Sequence, residues 1–207
     1  MPRGRENRKE HILETALRCF NETGYYLTSL DAIALAAGTS KGGLYYHFKS
    51  KNSLFIELFQ YRGQKYFEQV GAYVRAIADP VERVEVFVSK ASNILKDNED
   101  FMRFFLEFMS MGARDPEIRQ VMTDYYRMSI DNFSSIIEDG IASGAFRAES
   151  PHEVARAVYF LSMGVFFTYF TINPDFELGD QHVMHINNIL LALKKNAASS
   201  KSSIGPA

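Results

Sequence analysis

A single cysteine, Cys19, is all the thiol this 207-residue chain contains, so no intrachain disulfide can form and a reducing compartment is expected. The opening MPRGRENRKE has no apolar run, which argues against a secretory leader. The longest apolar stretch, Val158 to Ile172, is interrupted by Ser162, Gly164 and Thr168. It falls short of the roughly 20 residues a membrane-spanning helix needs, so a soluble, cytoplasmic protein is expected. Nothing alternates with the period of a strand, and nothing repeats internally. No nucleophile–base pair, phosphate loop or dinucleotide fingerprint is present, so neither an enzyme nor a cofactor is expected. His182 and His185, with Asp180 nearby, could suit a metal-dependent helical enzyme, but no third ligand shares their helical spacing.

What is present is helix. With 46 % hydrophobic and 23 % charged residues the chain can bury a sizeable core. Ile12, Leu13, Ala16, Leu17 and Phe20 form one stripe of a first helix over about 6–22, ending before Gly24. A long helix follows Ser50 to about residue 78, with Leu54, Leu58, Phe59, Tyr66, Val70 and Tyr73 at three- and four-residue steps. Gly63 and Gly71 inside it mark close packing or a bend. Asp79-Pro80, Asp115-Pro116 and Ser150-Pro151 each place a capping side chain before a proline at the first helical position. Glu82 and Glu153 stand where capping boxes need them. The predicted helices are 80–97, 99–112, 116–143, 151–172 and 180–195, and the polar tail 196–207 is expected to be disordered.

The most informative stretch is TSLDAIALAAGTSKGGLYYHFKSK, residues 28–51. Thr28 or Ser29 can cap a short helix with Asp31 in its first turn, and Gly38 suits a left-handed stop. Thr39 or Ser40 can cap a second helix, running to about Phe48, with Leu44 and Phe48 pointing inward. Two helices joined by a three- to four-residue turn holding a glycine make a helix-turn-helix, whose second helix enters the DNA major groove. Net charge is −2 overall, yet residues 1–51 hold eight Lys/Arg against five Asp/Glu, and residues 52–207 fifteen against twenty. A basic head on an acidic body concentrates attraction for phosphate at the head.

Gly24, Ser29, Ile33, Ala34, Gly38 and Leu54, with the run SKGGLYYHFKSK at 40–51, resemble the tetracycline-repressor (TetR) family of bacterial transcriptional regulators. The resemblance implies an all-α protein: a three-helix DNA-binding head (1–51) and a larger helical ligand-binding and dimerisation body (52–195). The candidate DNA-facing residues are Thr28, Ser29, Ser40, Lys41, Gly42, Gly43, Tyr45, Tyr46, His47 and Lys51. Lys41 is placed to donate to guanine edges, and Gly42 and Gly43 let the helix backbone approach closely. Tyr46 would pack on thymine methyls, with DNA shape supplying further discrimination. By resemblance Tyr45, His47, Lys51 and Thr28 or Ser29 are phosphate contacts. Arg3, Arg5, Arg8 and Lys9 either follow the adjacent DNA or are solvated.

One head reads few base pairs, so a homodimer on a palindromic double-stranded operator is expected. Helix 151–172 is apolar nearly all round, and 180–195 carries a stripe; Tyr159, Met163, Phe167, Val183, Ile186 and Leu190 are the candidate seam. Fifteen of the seventeen phenylalanines lie after residue 51. They suggest a pocket for a hydrophobic effector, lined by Phe59, Phe104, Phe105, Phe108, Met109, Met122, Tyr126, Phe166 and Phe170. Binding there would tilt the helix that follows Ser50, respace the recognition helices and release the operator. A ligand-independent architectural DNA-binding dimer is the alternative.

Overall fold

A computed structural model describes residues 3–147 and 150–194, with side chains from residue 6 onward; the tail expected to be disordered lies outside the described residues. The order is α1 (Arg3–Leu27), α2 (Leu30–Ala36), α3 (Lys41–His47), α4 (Lys51–Val74), α5 (Pro80–Asp97), α6 (Glu99–Gly112), α7 (Pro116–Ala142), α8 (Pro151–Thr171) and α9 (Leu178–Leu193). The all-α expectation therefore holds, and among the described residues the sole strand-like feature is an isolated bridge between Phe146 and Lys194. Three boundaries differ from expectation. The first helix continues past Gly24, which sits at φ 76° and ψ 164° and kinks it. That backbone region is essentially open to glycine alone. α4 stops at Val74, short of residue 78, and α9 begins two residues before Asp180.

The caps read from sequence are made. Ser29 Oγ accepts from Ala32 N–H and Ser40 Oγ from Gly43 N–H, both at 3.1 Å. Gly38 takes φ 59° after α2. Asp79 accepts from Glu82 N–H at 2.9 Å, Asp115 from Glu117 N–H at 2.8 Å, and Ser150 from Glu153 N–H at 3.3 Å. Each such cap is worth about 1 kcal/mol.

The chain divides by packing into two units, residues 1–70 with 93–126, and 71–92 with 127–207. The expected break at residue 51 is not where packing divides it. Phe20 of α1 meets Phe55 of α4 edge-on at 5.0 Å and Phe104 of α6 at 6.1 Å. Phe55 stacks on Phe108 at 5.2 Å, and Phe108 on Phe59 at 4.1 Å. One aromatic core thus holds α1 to α4 and α6, while α2 packs on α1 and α3 on α2. Gly63 lies against Tyr125, where a Cβ would come within 3.2 Å, so close packing is its role.

In the second unit α8 packs on α9. Ser92 and Ser162 bracket the buried His182, their hydroxyls at 2.5 Å from Nδ1 and 2.7 Å from Nε2. Phe166 covers the ring at 4.9 Å. Both serines also donate to backbone carbonyls, Ser92 to Val88 and Ser162 to Val158. Burial, aided by the neighbouring His185, pushes the imidazole down to about 4. The ring is therefore neutral at pH 7, with one N–H to give and one lone pair to fill. One hydroxyl accepts from it while the other must turn to donate.

Among the described residues α8 is the one helix long and apolar enough, by length and composition, to cross a membrane, contrary to the expectation from the interrupted stretch. The hydrogen bond from its Ser162 to His182 ties it to α9 instead.

Because His182 is depressed in the folded state, its contribution is present above its ordinary value of 6.5 and is lost as pH falls from there toward about 4. Between pH 7.5 and 4.5, urea unfolding should show the wild type losing about 2–3 kcal/mol more than His182→Gln, which keeps one donor and one acceptor. Equal losses would contradict the assignment.

Candidate nucleic-acid interface

α3 is a two-turn helix with a sharp division. Leu44 and the following Phe48 are buried at 0 % and 1 % exposure, as expected. Lys41, Gly42, Tyr45 and Tyr46 occupy the outer face and are exposed. Tyr46 is 57 % exposed and meets the His47 ring edge-on at 5.2 Å. The outward face offers a cation, a bare backbone and two phenols, in the order that a helix entering the groove N-terminus first would present them.

Lys41 Nζ lies 2.5 Å from Asp31 Oδ2 across the turn between α2 and α3. That hydrogen bond, then the Asp31 charge, raises the ammonium above its usual value. The pair is exposed, so its net contribution to stability is small. Lys49 reaches back to Tyr45 O at 3.3 Å, a cation at the end of α3 where the helix dipole favours it.

Two of the candidate DNA-facing residues sit elsewhere. Thr28 is buried, and its hydroxyl is 2.7 Å from Gly24 O and 3.2 Å from Cys19 O. It closes the kinked end of α1, so Ser29 is both the cap of α2 and the exposed hydroxyl. Lys51 turns inward. Its Nζ donates to Tyr25 O at 2.6 Å, Thr28 O at 2.9 Å and Tyr26 O at 3.2 Å, which engages all three ammonium protons. Lys9 is likewise drawn to Glu57 and lies 5.9 Å from the Phe48 ring centre. Arg8 is exposed, and the side chains of Arg3 and Arg5 lie outside the described residues.

The glycines also separate. A Cβ on Gly42 would meet nothing within 4 Å, whereas one on Gly43 would lie 2.7 Å from Thr39 Oγ1 and 3.3 Å from the capping Ser40 Oγ. Gly43 is required by the cap, and Gly42 is the position free to vary.

In the body, the proposed effector lining is mostly core. Phe59, Phe104, Phe105 and Phe108 are 0–3 % exposed and pack ring against ring. Met109, Met122 and Tyr126 are half-buried in the same unit, while Phe166 and Phe170 belong to the other. A cleft of about 340 Å³ does exist in the first unit, between α4 and the α5–α6 junction. Tyr66, Ile94, Leu95 and Phe101 form its apolar wall, and Arg62, Lys65, Glu68, Gln69 and Asn98 its polar edge. Burial pushes the Tyr66 phenol up. Arg62 clasps Glu14 of α1 with Nη1 at 3.1 Å to both carboxylate oxygens, and gives Nη2 to Asn98 Oδ1 at 2.8 Å. Phe101, from the aromatic cluster visible in the sequence, lines this cleft, but its polar edge is marked by a contact between residues 14, 62 and 98, which periodicity does not reveal.

Of the proposed seam, Ile186 and Leu190 are 1 % and 2 % exposed, and so belong to this chain's own core. Tyr159, Met163 and Val183 are half-buried. The exposed apolar residues are Phe160 and Phe167 on α8, with Met184 and Leu191 on α9. Each pair is seven apart, on one face of its helix.

A capped short helix followed by a second with an open, cationic outer face defines a helix-turn-helix DNA-binding head on a helical body. The model for bacterial regulatory proteins of the tetR family matches residues 12–58, and that for the C-terminal part of BetI-type transcriptional repressors matches 80–181. This chain belongs to the tetR family of bacterial transcriptional regulators. It is 26 % identical over 171 residues to the uncharacterized helix-turn-helix-type regulator YhgD of Bacillus subtilis, covering 83 % of this chain and 88 % of the relative. Its similarity to the regulator AcrR of Shigella flexneri is 48 % over 52 residues, a quarter of each chain (25 % and 24 %). A putative transcriptional regulator of Saccharomonospora viridis, crystallised with choline, superposes with a TM-score of 0.80 at 24 % identity, over 92 % of this chain and 100 % of that one.

Gly42→Ala should raise thermal stability by up to about 1 kcal/mol through helix propensity, yet weaken DNA binding by holding the helix off the groove. Gly43→Ala should lose that gain, because Thr39 or Ser40 must shift. Melting temperatures and gel-shift affinities of the two variants check this; an equal gain in both would refute the cap argument.

Proposed function

We propose that the protein is a non-enzymatic, cytoplasmic repressor that binds a palindromic operator as a homodimer and releases it when a small amphipathic molecule occupies the body. The outer face of α3, with Lys41 and Tyr45–Tyr46 exposed beside the bare backbone at Gly42–Gly43, carries the DNA-binding part. The match of residues 80–181 to BetI-type repressors supports the sign of regulation.

Dimerisation is supported by the apolar residues of α8 and α9 that the chain leaves uncovered. Phe160, Phe167, Met184 and Leu191 are 46–64 % exposed. Exposed large apolar side chains repeated on one face of a helix suit an interface. A second copy related by a two-fold axis would cover it with the same residues, as closed symmetry requires.

Ligand response is supported by the cleft at Arg62. At about 340 Å³ it is within the range of small-molecule sites. Its wall of Tyr66, Ile94, Leu95 and Phe101 suits an apolar body, and its polar edge suits one polar end. A molecule lodging there competes for the guanidinium that clasps Glu14, loosening α4 from α1. A coupling of about 1–3 kcal/mol would weaken DNA binding some 5- to 150-fold.

Phe167→Glu should convert the dimer to monomer in sedimentation without lowering the monomer's helix content, since the ring is 54 % exposed in the chain. Persistence of the dimer would remove α8 from the seam. In a melting-temperature screen of choline, decanoate and benzoate, at least one compound should stabilise the wild type and not Arg62→Met. A screen stabilising neither protein favours the ligand-independent dimer.

A further inference from the structure

The corner where α1 hands over to α2 is held from two sides by helices outside the helix-turn-helix, and we propose that Lys51 and Glu107 are positioning residues for DNA binding, setting affinity without touching DNA. This inference rests on α3 being the DNA-reading helix. At Gly24 the backbone leaves helical geometry, and the next amide, Tyr25 N–H, donates to Glu107 Oε1 of α6 at 2.7 Å. Thr28 Oγ1, 2.7 Å from Gly24 O, closes the same turn. On the opposite side Lys51 of α4 binds the carbonyls of Tyr25, Tyr26 and Thr28, with its ammonium 4.4 Å from the Tyr25 ring centre.

The charges are matched to the backbone. An anion takes an amide and a cation takes three carbonyls at the end of α1, the negative pole of that helix. Lys51 is the first residue of α4, at a positive helix pole, where a cation is electrostatically misplaced for α4 itself. The carbonyls of α1 account for its position. Ser29, the cap of α2, follows Thr28 directly, so the clamp fixes where α2 starts and, through the turn at Gly38, how α3 is presented. Glu107 stands among Phe104, Phe105 and Phe108, all in the aromatic core. The rigidity of that core is therefore transmitted to the corner by one charge-assisted hydrogen bond.

A lysine that neutralises a phosphate and one that holds the corner leave different salt signatures. Loss of one phosphate contact lowers the slope of log affinity against log salt by about 0.9. Loss of positioning lowers affinity and leaves the slope as it was. The test uses the full chain and a duplex recovered by the wild type from a random-sequence pool, titrated between 50 and 300 mM KCl, roughly the range over which such slopes are read.

Lys51→Met and Glu107→Leu should each weaken binding about tenfold or more with slopes equal to wild type. Glu107→Gln, which keeps the acceptor for Tyr25 N–H, should remain within about threefold. Hydrogen exchange at Tyr25 should quicken in Glu107→Leu while amides inside α6 hold. Should Lys51→Met fail to fold, Lys51→Gln takes its place with the same expected direction. A slope lowered by about one in the Lys51 variant would overturn its role, and unchanged affinity in Glu107→Leu would overturn that of Glu107. Failure of the wild type to recover any duplex would instead overturn the DNA-binding reading itself.

Discussion

The burial of Phe20 against Phe55 and Phe104 is the contact on which the DNA-binding end of the molecule depends. One long and two short helices at the N-terminus have too little apolar surface to fold firmly alone. They borrow the core of α4 and α6, and in return their outer faces are freed for charge and backbone. Phe55, Phe59, Phe104 and Phe108 are 0–1 % exposed. Truncating one such ring leaves a cavity worth about 3–5 kcal/mol. Head and front of the body are consequently a single packing unit, joined by packed rings and by the hydrogen bonds of two charged side chains, Lys51 and Glu107.

That arrangement explains the distribution of polar chemistry. Lys41, Tyr45 and Tyr46 of α3 are left exposed, while Thr28 and Lys51, polar and at the same end of the molecule, are taken up by the bare carbonyls of a kinked helix. Arg62 performs a similar office further along α4, spanning Glu14 and Asn98 at the edge of the cleft. In the second unit His182 joins α5, α8 and α9 through two serine hydroxyls, a buried polar junction amid apolar helices. Buried polar groups impose one geometry because their partners are directional, whereas apolar contacts tolerate sliding.

Much of this could be read before any coordinates. The caps Asp79, Asp115 and Ser150 were identifiable, and those of α2 and α3 were narrowed to Thr28 or Ser29 and Thr39 or Ser40, because a cap engages a backbone amide only two or three positions away. The inward pair Leu44 and Phe48 followed from helical period for the same reason. The aromatic cluster at 101–108 was visible as a stripe, but whether it lined a pocket or filled one was not. A stripe records which face is apolar and says nothing of how closely the facing helix approaches. Ile186 and Leu190 illustrate the same limit: their period placed them on an apolar face of α9, and packing against their own chain covered it.

By itself the sequence determined the helices, the capped starts of several of them, the helix-turn-helix and the family, since each follows from interactions spanning a few residues. Only the tertiary structure decided where the long polar side chains go. Lys51 finds its carbonyls 26 residues back, and Glu107 its amide 82 residues back. A lysine near a DNA-reading helix satisfies the same local pattern whether it faces phosphate or protein. What distinguishes the two is the kink at Gly24, which turns three carbonyls toward α4 and makes the inward path the shorter one.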